Sequence, residues 1–372
     1  MVYSLDFESS GLDFWSPTFT VKSLAVSYRS EDGSLVSRFT ETNIRRWLEQ
    51  LAEKQVPVIV YNAGFELGVL KCCYPDIKLN IHADVMRLVQ VYDNGSMDWH
   101  VFIGDYEDDE DEDGEEVAEG FGLKSAGPRI LGSDFNDTHQ TAHAWIRENL
   151  DVKRGKEGAF LSSLPGTLLR DYNTGDTENT LKIYERVTDE FKRIGYDWCP
   201  DHMLYMNVTW LIVESKVRGV RVDREKLQAY TVQVEAEIRE IEQKFLNALA
   251  GPIEEVQRLK LEEVKAKYKT EKGRAGAKVD EFNPGSNKQL AMLFVDVMKM
   301  PVQFTSATGQ PSFKKAHLHT WGDGGEILLA RRQRLLVLKQ AQNLLKLSEP
   351  DGRWHIGLKS VGTATSRFAG GN

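Results

Sequence analysis

The sequence predicts a mixed α/β domain over residues 1–197, followed by a mostly α-helical region over residues 198–372. Short β-branched and aromatic runs occur in the first part, whereas long amphipathic patterns dominate the second. The length of 372 residues is enough for two packed domains. Gly195 and Pro200 lie at the predicted boundary, and both residue types interrupt regular structure.

The first domain is predicted to contain strands and helices in alternation. Strands are expected over residues 2–7, 24–28 and 56–61. Helical patterns cover residues 41–54 and 64–72. A cluster of Gly, Ser and Pro separates the first two strands and predicts a turn between them.

The helical patterns of the remaining chain are longer. They cover residues 174–193, 202–218, 224–249, 286–298 and 326–347. Between two of these helices, residues 266–279 are rich in Lys, Gly and Ala and predict an exposed tip.

Most of the negative charge lies in one run at residues 105–119. Removing the eleven carboxylates of this run turns the net charge of −9 into +2. Like charges repel and bury no apolar surface, which favours a solvated or disordered surface loop. The alternative is a tethered mimic of a nucleic-acid backbone that competes for a basic cleft.

The C-terminal part of the chain is locally basic. After Trp321 the sequence has four acids and a larger basic set, namely Arg331, Arg332, Arg334, Lys339, Lys346, Arg353, Lys359 and Arg367. A basic stripe of this kind is the electrostatic signature of phosphate binding. The alternative is an ordinary amphipathic helix with a solvated basic face.

Candidate catalytic carboxylates begin with Asp6 and Glu8. They are two residues apart on a predicted strand, so both side chains project from the same face. Leu5 and Phe7 alternate with them, which indicates that the opposite face is the buried one. Two adjacent carboxylates repel each other unless a cation lies between them. The alternative is a pair of solvent-facing acids on an edge strand.

Two further motifs carry acids. Asn62 and Glu66 lie where a very apolar strand ends and a helix begins, a position at which ligands collect in α/β sheets. Glu66 could instead be a first-turn acid favoured by the helix dipole. Tyr172 and Asp176 are four residues apart and share one face of a helix, although this spacing alone is common.

Together, the three motifs resemble the proofreading 3′→5′ exonucleases of the DEDD superfamily. LDFESSGLD resembles the first motif, YNAGFEL the second, and Tyr172-x-x-x-Asp176 the third in its tyrosine subclass (DEDDy). The flanking segments HADVMRL and GLKSAGPRILG also resemble family segments. The resemblance implies an RNase H-like mixed-sheet exonuclease fold for residues 1–197, with residues 105–119 as an acidic insertion.

The later segments resemble A-family DNA polymerases of the phage and bacterial type. MLYMNVTWLIVESKVRGVRVDREKL is similar to the helix after the exonuclease, and FNPGSNKQLAMLF to the thumb signature. RWHIGLKSVGTATSRFAGGN resembles the approach to the palm. The resemblance implies that residues 198–372 form the polymerase connection and thumb region, ending at the start of the palm.

Two positions depart from the family pattern. Glu66 stands where the family usually has aspartate, so its carboxylate is one methylene farther from the backbone than the usual ligand. Ser366 stands where the family has glycine before Arg367. The polymerase carboxylates of the palm would follow Asn372. The resemblance therefore implies either a truncated polymerase or one half of a split polymerase, whose partner would be a separate polymerase-domain chain.

The resemblance also implies a chemistry. The reaction would be hydrolysis of 3′-terminal DNA phosphodiesters to nucleoside monophosphates with two Mg²⁺ or Mn²⁺ ions about 3.5–4 Å apart. Asp6, Glu8 and Asp176 would hold the ion that generates hydroxide, and Asp6 would bridge to a second ion supported by Glu66. Tyr172 would orient the attacking water. The implied DNA contacts are Asn62, Leu12, Phe65, Arg331, Arg332, Arg334, Lys339 and Arg367, with core packing as the alternative for Leu12 and Phe65.

The expected partners are single-stranded and primer-template DNA. An RNase D-like ribonuclease would share all three acidic motifs, and a decayed, noncatalytic scaffold that grips DNA is another alternative. Three cysteines without metal-ligand spacing fit a reducing compartment. No leader or membrane-spanning run is evident, so the chain is expected in the cytoplasm of a bacterial or phage-infected host, without a membrane partner.

Overall fold

The computed structural model describes residues 1–93, 121–268, 270, 275–302, 311, 313, 315–359 and 369–371. The chain divides into two compact units. The first unit comprises Met1–Val220 and His355–Asn372, and the second comprises Arg221–Trp354. The acidic run at residues 105–119 and the motif containing Ser366 and Arg367 lie outside the described residues.

The first unit is built on a five-stranded sheet. Its strands are β1 (Tyr3–Ser9), β2 (Val21–Arg29), β3 (Leu35–Thr40), β4 (Pro57–Val60) and β5 (Asn80–Asp84). They are ordered β3-β2-β1-β4-β5. β2 is antiparallel to β1 and β3, whereas β4 is parallel to β1 and β5. The mixed sheet confirms the predicted α/β class.

β1 separates an apolar face of the sheet from an acidic one. Leu5 and Phe7 are 1% and 3% exposed and join the first core cluster. That cluster also contains buried side chains of α1 (Ile44–Glu53) and α2 (Ala63–Cys73). The alternation read from the sequence is therefore confirmed, because side chains along a strand point to opposite faces.

The other helices of the first unit follow α2 in the chain. They are α3 (Val85–Tyr92), α4 (Leu123–Leu131), α5 (His139–Leu150), α6 (Gly166–Arg193) and α7 (Cys199–Arg218). Short 3-10 helices occupy Gly132–Asp134 and Glu157–Ser163. α6 packs on β1, β2 and β3. It begins at Gly166, earlier than the predicted start at residue 174, so Tyr172 and Asp176 lie inside the helix.

The boundary between the compact units follows Val220, whereas the sequence predicts a domain boundary after residue 197. α7 causes this difference. Its Val213 packs in the first core cluster and its Tyr205 in a second cluster, which contains residues of β5, α3 and α6. The amphipathic pattern predicts the helix correctly but does not show which core its apolar face covers.

The second unit is mostly helical. It contains α8 (Arg224–Ala248), α9 (Ala250–Ala266), α10 (Asn287–Ala291), α11 (Lys315–Leu318) and α12 (Gly322–Leu347). A π-helix at Met292–Val297 continues α10, and His319–Trp321 form a 3-10 turn. Short strands occur at Val220–Arg221, Arg353–Trp354, Gly357–Lys359 and Ala369–Gly371. Within the described ranges, no helix is both long enough and apolar enough to span a bilayer.

Candidate active site

Three carboxylates from two elements meet on the acidic face of the sheet. Asp6 and Glu8 project from β1, and Asp176 projects from α6. One oxygen of each residue lies within 4.8 Å of an oxygen of the other two. Glu8 and Asp176 are 9% and 8% exposed, so the cluster is largely shielded from water. The structure thus brings together three of the four predicted metal ligands.

The proximity of these acids shifts their protonation. Burial, followed by the negative charge of Asp176, raises the pKa of Asp6 to about 8. Burial and the charges of Asp6 and Asp176 hold the pKa of Glu8 well above its usual value. Burial also raises the pKa of Asp176. Without a cation, the cluster therefore retains protons near neutral pH, because desolvation and like charges disfavour its ionised form.

Glu66 lies at the edge of this cluster. It occupies the first turn of α2 and is 1% exposed. Burial, followed by the negative charge of Asp6, raises its pKa well above the usual value. Among the described residues, its Oε2 atom has no hydrogen-bond partner, and the group within 4.8 Å does not include it. A buried acceptor without a partner is costly unless another ligand satisfies it.

The available donors fit divalent cations. All four side chains offer carboxylate oxygens, which are the ligands that hard ions such as Mg²⁺ and Mn²⁺ prefer. The unpartnered oxygen of Glu66 supplies a further acceptor, on a residue close enough to Asp6 for the charge of Asp6 to raise its pKa. The positive charge of a bound ion would offset the repulsion among the acids.

Tyr172 lies one helical turn before Asp176 on α6, and it is buried beside the cluster. Burial and the charge of Asp176 raise the pKa of Tyr172 well above its usual value, so the hydroxyl stays protonated. The Lys124 ammonium contacts the Asp176 carboxylate and lies 4.6 Å from the centre of the Tyr172 ring. Lys124 thus supplies a positive charge at the cluster, and sequence reasoning did not single it out.

Asn173 is a second residue that the sequence analysis missed. It is fully buried on α6, and its amide donates to Asp6 Oδ2. Ser23 on β2 donates to Asn173 Oδ1 at 3.1 Å. These bonds fix the orientation of Asp6 from the side of the helix. Asn173 lies inside the YNTGD sequence, between Tyr172 and Asp176. No sequence pattern distinguishes an asparagine that orients a carboxylate from any other asparagine.

The predicted DNA contacts near the cluster lie in different environments. Leu12 is 74% exposed. Phe65 is partly buried and packs edge-on against Phe14 and Phe19, with ring centres 6.3 and 6.5 Å apart. Asn62 precedes α2 with a left-handed backbone at φ 71°. Phe65 therefore contributes to core packing, which was its alternative interpretation, and contact of these three residues with DNA stays a prediction.

The arginines of the predicted basic stripe on α12 contact other residues of the second unit. Arg331 pairs with Glu242 at 2.8 Å, and Arg334 pairs with Glu237 at 3.1 Å. Arg332 is half-buried and donates to the carbonyl of Phe313. DNA binding by these arginines would have to compete with these contacts. It stays a prediction, as it does for Lys339, which is exposed, and for Arg367.

Comparison with known proteins identifies a solved structure with a similar fold. No protein-family model matches the chain, and no curated protein matches it. Among solved structures, the chain is similar to the POL domain of Pol1 from M. smegmatis, in complex with DNA primer-template and dNTP. The TM-score is 0.57 and the sequence identity is 15%, with 99% of this chain and 50% of that chain covered. The chain thus has a DNA polymerase-like fold and spans about half the length of that structure.

Proposed function

We propose that the chain is a metal-dependent 3′→5′ DNA exonuclease of the DEDDy type, joined to the thumb-like part of an A-family polymerase fold. The convergence of Asp6, Glu8 and Asp176 within 4.8 Å carries the proposal. Asp176 is remote in sequence from Asp6 and Glu8, and the mutual repulsion of the three acids is costly for a purely structural arrangement. The mixed sheet beneath them supports an RNase H-like fold.

The substrate class rests on the fold. The similar structure is a DNA polymerase domain in complex with primer-template DNA, and the likeness extends along 99% of this chain. This favours DNA over RNA and a role in proofreading during replication. A ribonuclease of the same superfamily would share the acidic residues. The experiment below therefore compares DNA and RNA as substrates.

The roles of the side chains follow from their positions. Asp6, Glu8 and Asp176 would hold one divalent ion, and Asp6 with Glu66 would hold a second. When bound, such ions supply a metal-activated water and neutralise charge on the phosphate oxygens. Tyr172 stays protonated, so it serves as a hydrogen-bond donor that orients the water or the phosphate rather than as a base.

The remaining polar groups maintain this arrangement. Asn173 fixes the Asp6 carboxylate through its amide. Lys124 offsets negative charge at Asp176 and lies beside the Tyr172 ring, where an incoming phosphate would also meet its charge. Burial of Glu8, Glu66 and Asp176 limits the access of bulk water to these carboxylates and strengthens their electrostatic interactions.

The test is digestion of 5′-labelled single-stranded DNA and RNA of the same sequence. With Mg²⁺ or Mn²⁺, the DNA is expected to shorten stepwise from its 3′ end, and a chelator should stop the reaction. Preferred digestion of RNA would identify an RNase D-like enzyme. Mn²⁺ binding without digestion of either strand would indicate the noncatalytic scaffold.

A further inference from the structure

The start of α2 is held by another element rather than by its own cap. A helix leaves its first backbone N–H groups without partners inside the helix. Asn62, the residue before α2, makes no side-chain capping bond. Its N–H and that of Ala63 donate instead to the Asp84 carboxylate, at 3.0 and 3.1 Å. Since Glu66 lies in the first turn of α2, this anchor also sets the position of Glu66.

Asp84 is the meeting point of three helices. Its Oδ1 accepts from the N–H groups of Asn62 and Met86, so it also caps α3 at 3.1 Å. Its Oδ2 accepts from the N–H of Ala63 and from the hydroxyl of Tyr205 on α7, at 3.1 and 3.0 Å. Asp84 is fully buried, and these four bonds occupy both of its oxygens. Its position is therefore tightly determined.

α7 also holds the backbone of Asp84. His202 is 3% exposed, and its Nε2 accepts the Asp84 N–H at 3.0 Å. Burial lowers the pKa of His202 to about 4, so the imidazole is neutral near pH 7 and can accept. His202 and Tyr205 thus fix the main chain and the side chain of the same aspartate from one helix.

We propose that Asp84 is a positioning residue for the metal site, which places the Glu66 carboxylate opposite Asp6 through the start of α2, with Tyr205 and His202 as its supports. This inference rests on the proposed function, because Glu66 is a ligand only if the cluster binds cations. It assigns α7 to the metal site, although the sequence predicts that this helix belongs to the second domain.

The test is Mn²⁺ binding to the metal-free full chain, measured by titration calorimetry. Asp84→Asn keeps the size of the side chain but replaces one acceptor oxygen by a donor, which would face the N–H groups of α2. Loss of partners that orient metal ligands typically weakens metal affinity by about 10- to 100-fold. We expect a loss in this range, concentrated in the weaker of two binding events, with the Asp6, Glu8 and Asp176 site retained.

Tyr205→Phe is the second variant, in case Asp84→Asn does not fold. It removes one bond to Asp84 and leaves the Ala63 bond in place, so a several-fold loss of Mn²⁺ affinity is expected. Tyr196→Phe is the matched control, since its hydroxyl donates to Asp201 at 3.1 Å, away from Asp84. The control should bind Mn²⁺ as the unmodified chain does.

Activity distinguishes positioning from general damage. In Asp84→Asn and Tyr205→Phe, kcat on single-stranded DNA should fall while KM for DNA changes little. Raising the Mn²⁺ concentration should restore much of kcat. Unchanged Mn²⁺ affinity in folded Asp84→Asn and Tyr205→Phe would overturn the inference. The unmodified chain could instead bind Mn²⁺ but digest no DNA, while both variants show the expected loss of Mn²⁺ affinity. That result would contradict the proposed function and support the positioning role.

Discussion

At the scale of single residues, the carboxylate cluster opposes folding when no cation is bound. Asp6 has a folded-state pKa of about 8, above its ordinary value. The folded state therefore binds the proton more tightly, and stability falls as pH rises from the unfolded pKa, about 4, through the folded value. This sign is the reverse of that for an aspartate in a salt bridge.

We therefore predict that Asp6→Asn stabilises the metal-free chain while abolishing its nuclease activity. The amide carries no charge but can still accept the Asn173 bond. The gain in Tm over the unmodified chain should be larger at pH 8.5 than at pH 5, with chelator present, in thermal scans followed by circular dichroism. An equal or smaller gain at pH 8.5 would contradict the assigned protonation.

The same protonation predicts that metal binding releases protons. At pH 7 the cations must displace protons from the cluster, because carboxylates bind metals in their ionised form. Mn²⁺ titrations in two buffers of different ionisation enthalpy should give different apparent heats, and the affinity should rise between pH 6 and pH 8. Heats that are identical in the two buffers would show that the acids are already ionised.

Side-chain length tests the roles of Asp6 and Glu66 separately. Asp6→Ala should abolish hydrolysis, by at least about 10³-fold in kcat, because the residue is proposed to contact both ions. Glu66→Asp should retain much of the activity, because it restores the residue usual in the resembled family. Initial rates on 5′-labelled single strands measure both effects. Near-normal turnover of Asp6→Ala would remove Asp6 from the site.

At the scale of elements, α2 needs a glycine where it meets the Phe14 ring. A Cβ placed on Gly68 would lie 2.3 Å from that ring, closer than atoms can approach. Overpacking of this kind costs about 1–3 kcal/mol. We predict that Gly68→Ala lowers the free energy of unfolding by such an amount in urea denaturation.

Gly64 gives the matched control for this prediction on the same helix. The nearest atom to its added Cβ would be 3.7 Å away, so Gly64→Ala should be neutral or slightly stabilising. Combining Gly68→Ala with Phe14→Leu should recover part of the loss, because leucine is smaller than the ring it replaces. A double variant no more stable than Gly68→Ala would show that the contact with Phe14 is not the cause.

The sequence predicted the elements that carry strong periodicity and missed those that do not. The apolar runs of β1, β2 and β4 are visible in the sequence. β3 and β5, with the sequences LVSRFT and NIHAD, are short and partly polar, so neither had a clear strand pattern. The acids of the cluster were predicted because the three motifs that contain them together resemble those of the exonuclease family. Lys124 and Asp84 were not, because their roles depend on contacts between distant segments.

At the scale of the whole molecule, the second unit is predicted to add affinity for duplex DNA. Replacing Arg331, Arg332 and Lys339 by alanine should weaken binding to primer-template. It should also lower the salt slope of log K by roughly one unit for each DNA phosphate that the variant no longer neutralises. Cleavage of a short single strand should change less. Arg258→Ala is the control, because this exposed arginine of α9 pairs with Glu255 and Glu262 on its own helix.

Binding isotherms at several salt concentrations measure this prediction, with circular dichroism to verify folding. Part of any decrease in affinity could come from the released partner of Arg331, so Glu242→Gln is measured alongside. An unchanged salt slope in the folded triple variant would assign the stripe to intramolecular ion pairing and solvated surface.

The arrangement of the carboxylates also determines when the site can form during synthesis. β1 leaves the ribosome before α6, which ends at Arg193. At about 5–20 residues per second, roughly 10 to 40 seconds separate the synthesis of these two elements. All five strands of the sheet precede α6 in the chain, so Asp6 and Glu8 lack Asp176 until that helix has been made. A nascent chain therefore cannot bring the three carboxylates together before the strands of the first sheet and the helix that packs on them have been made.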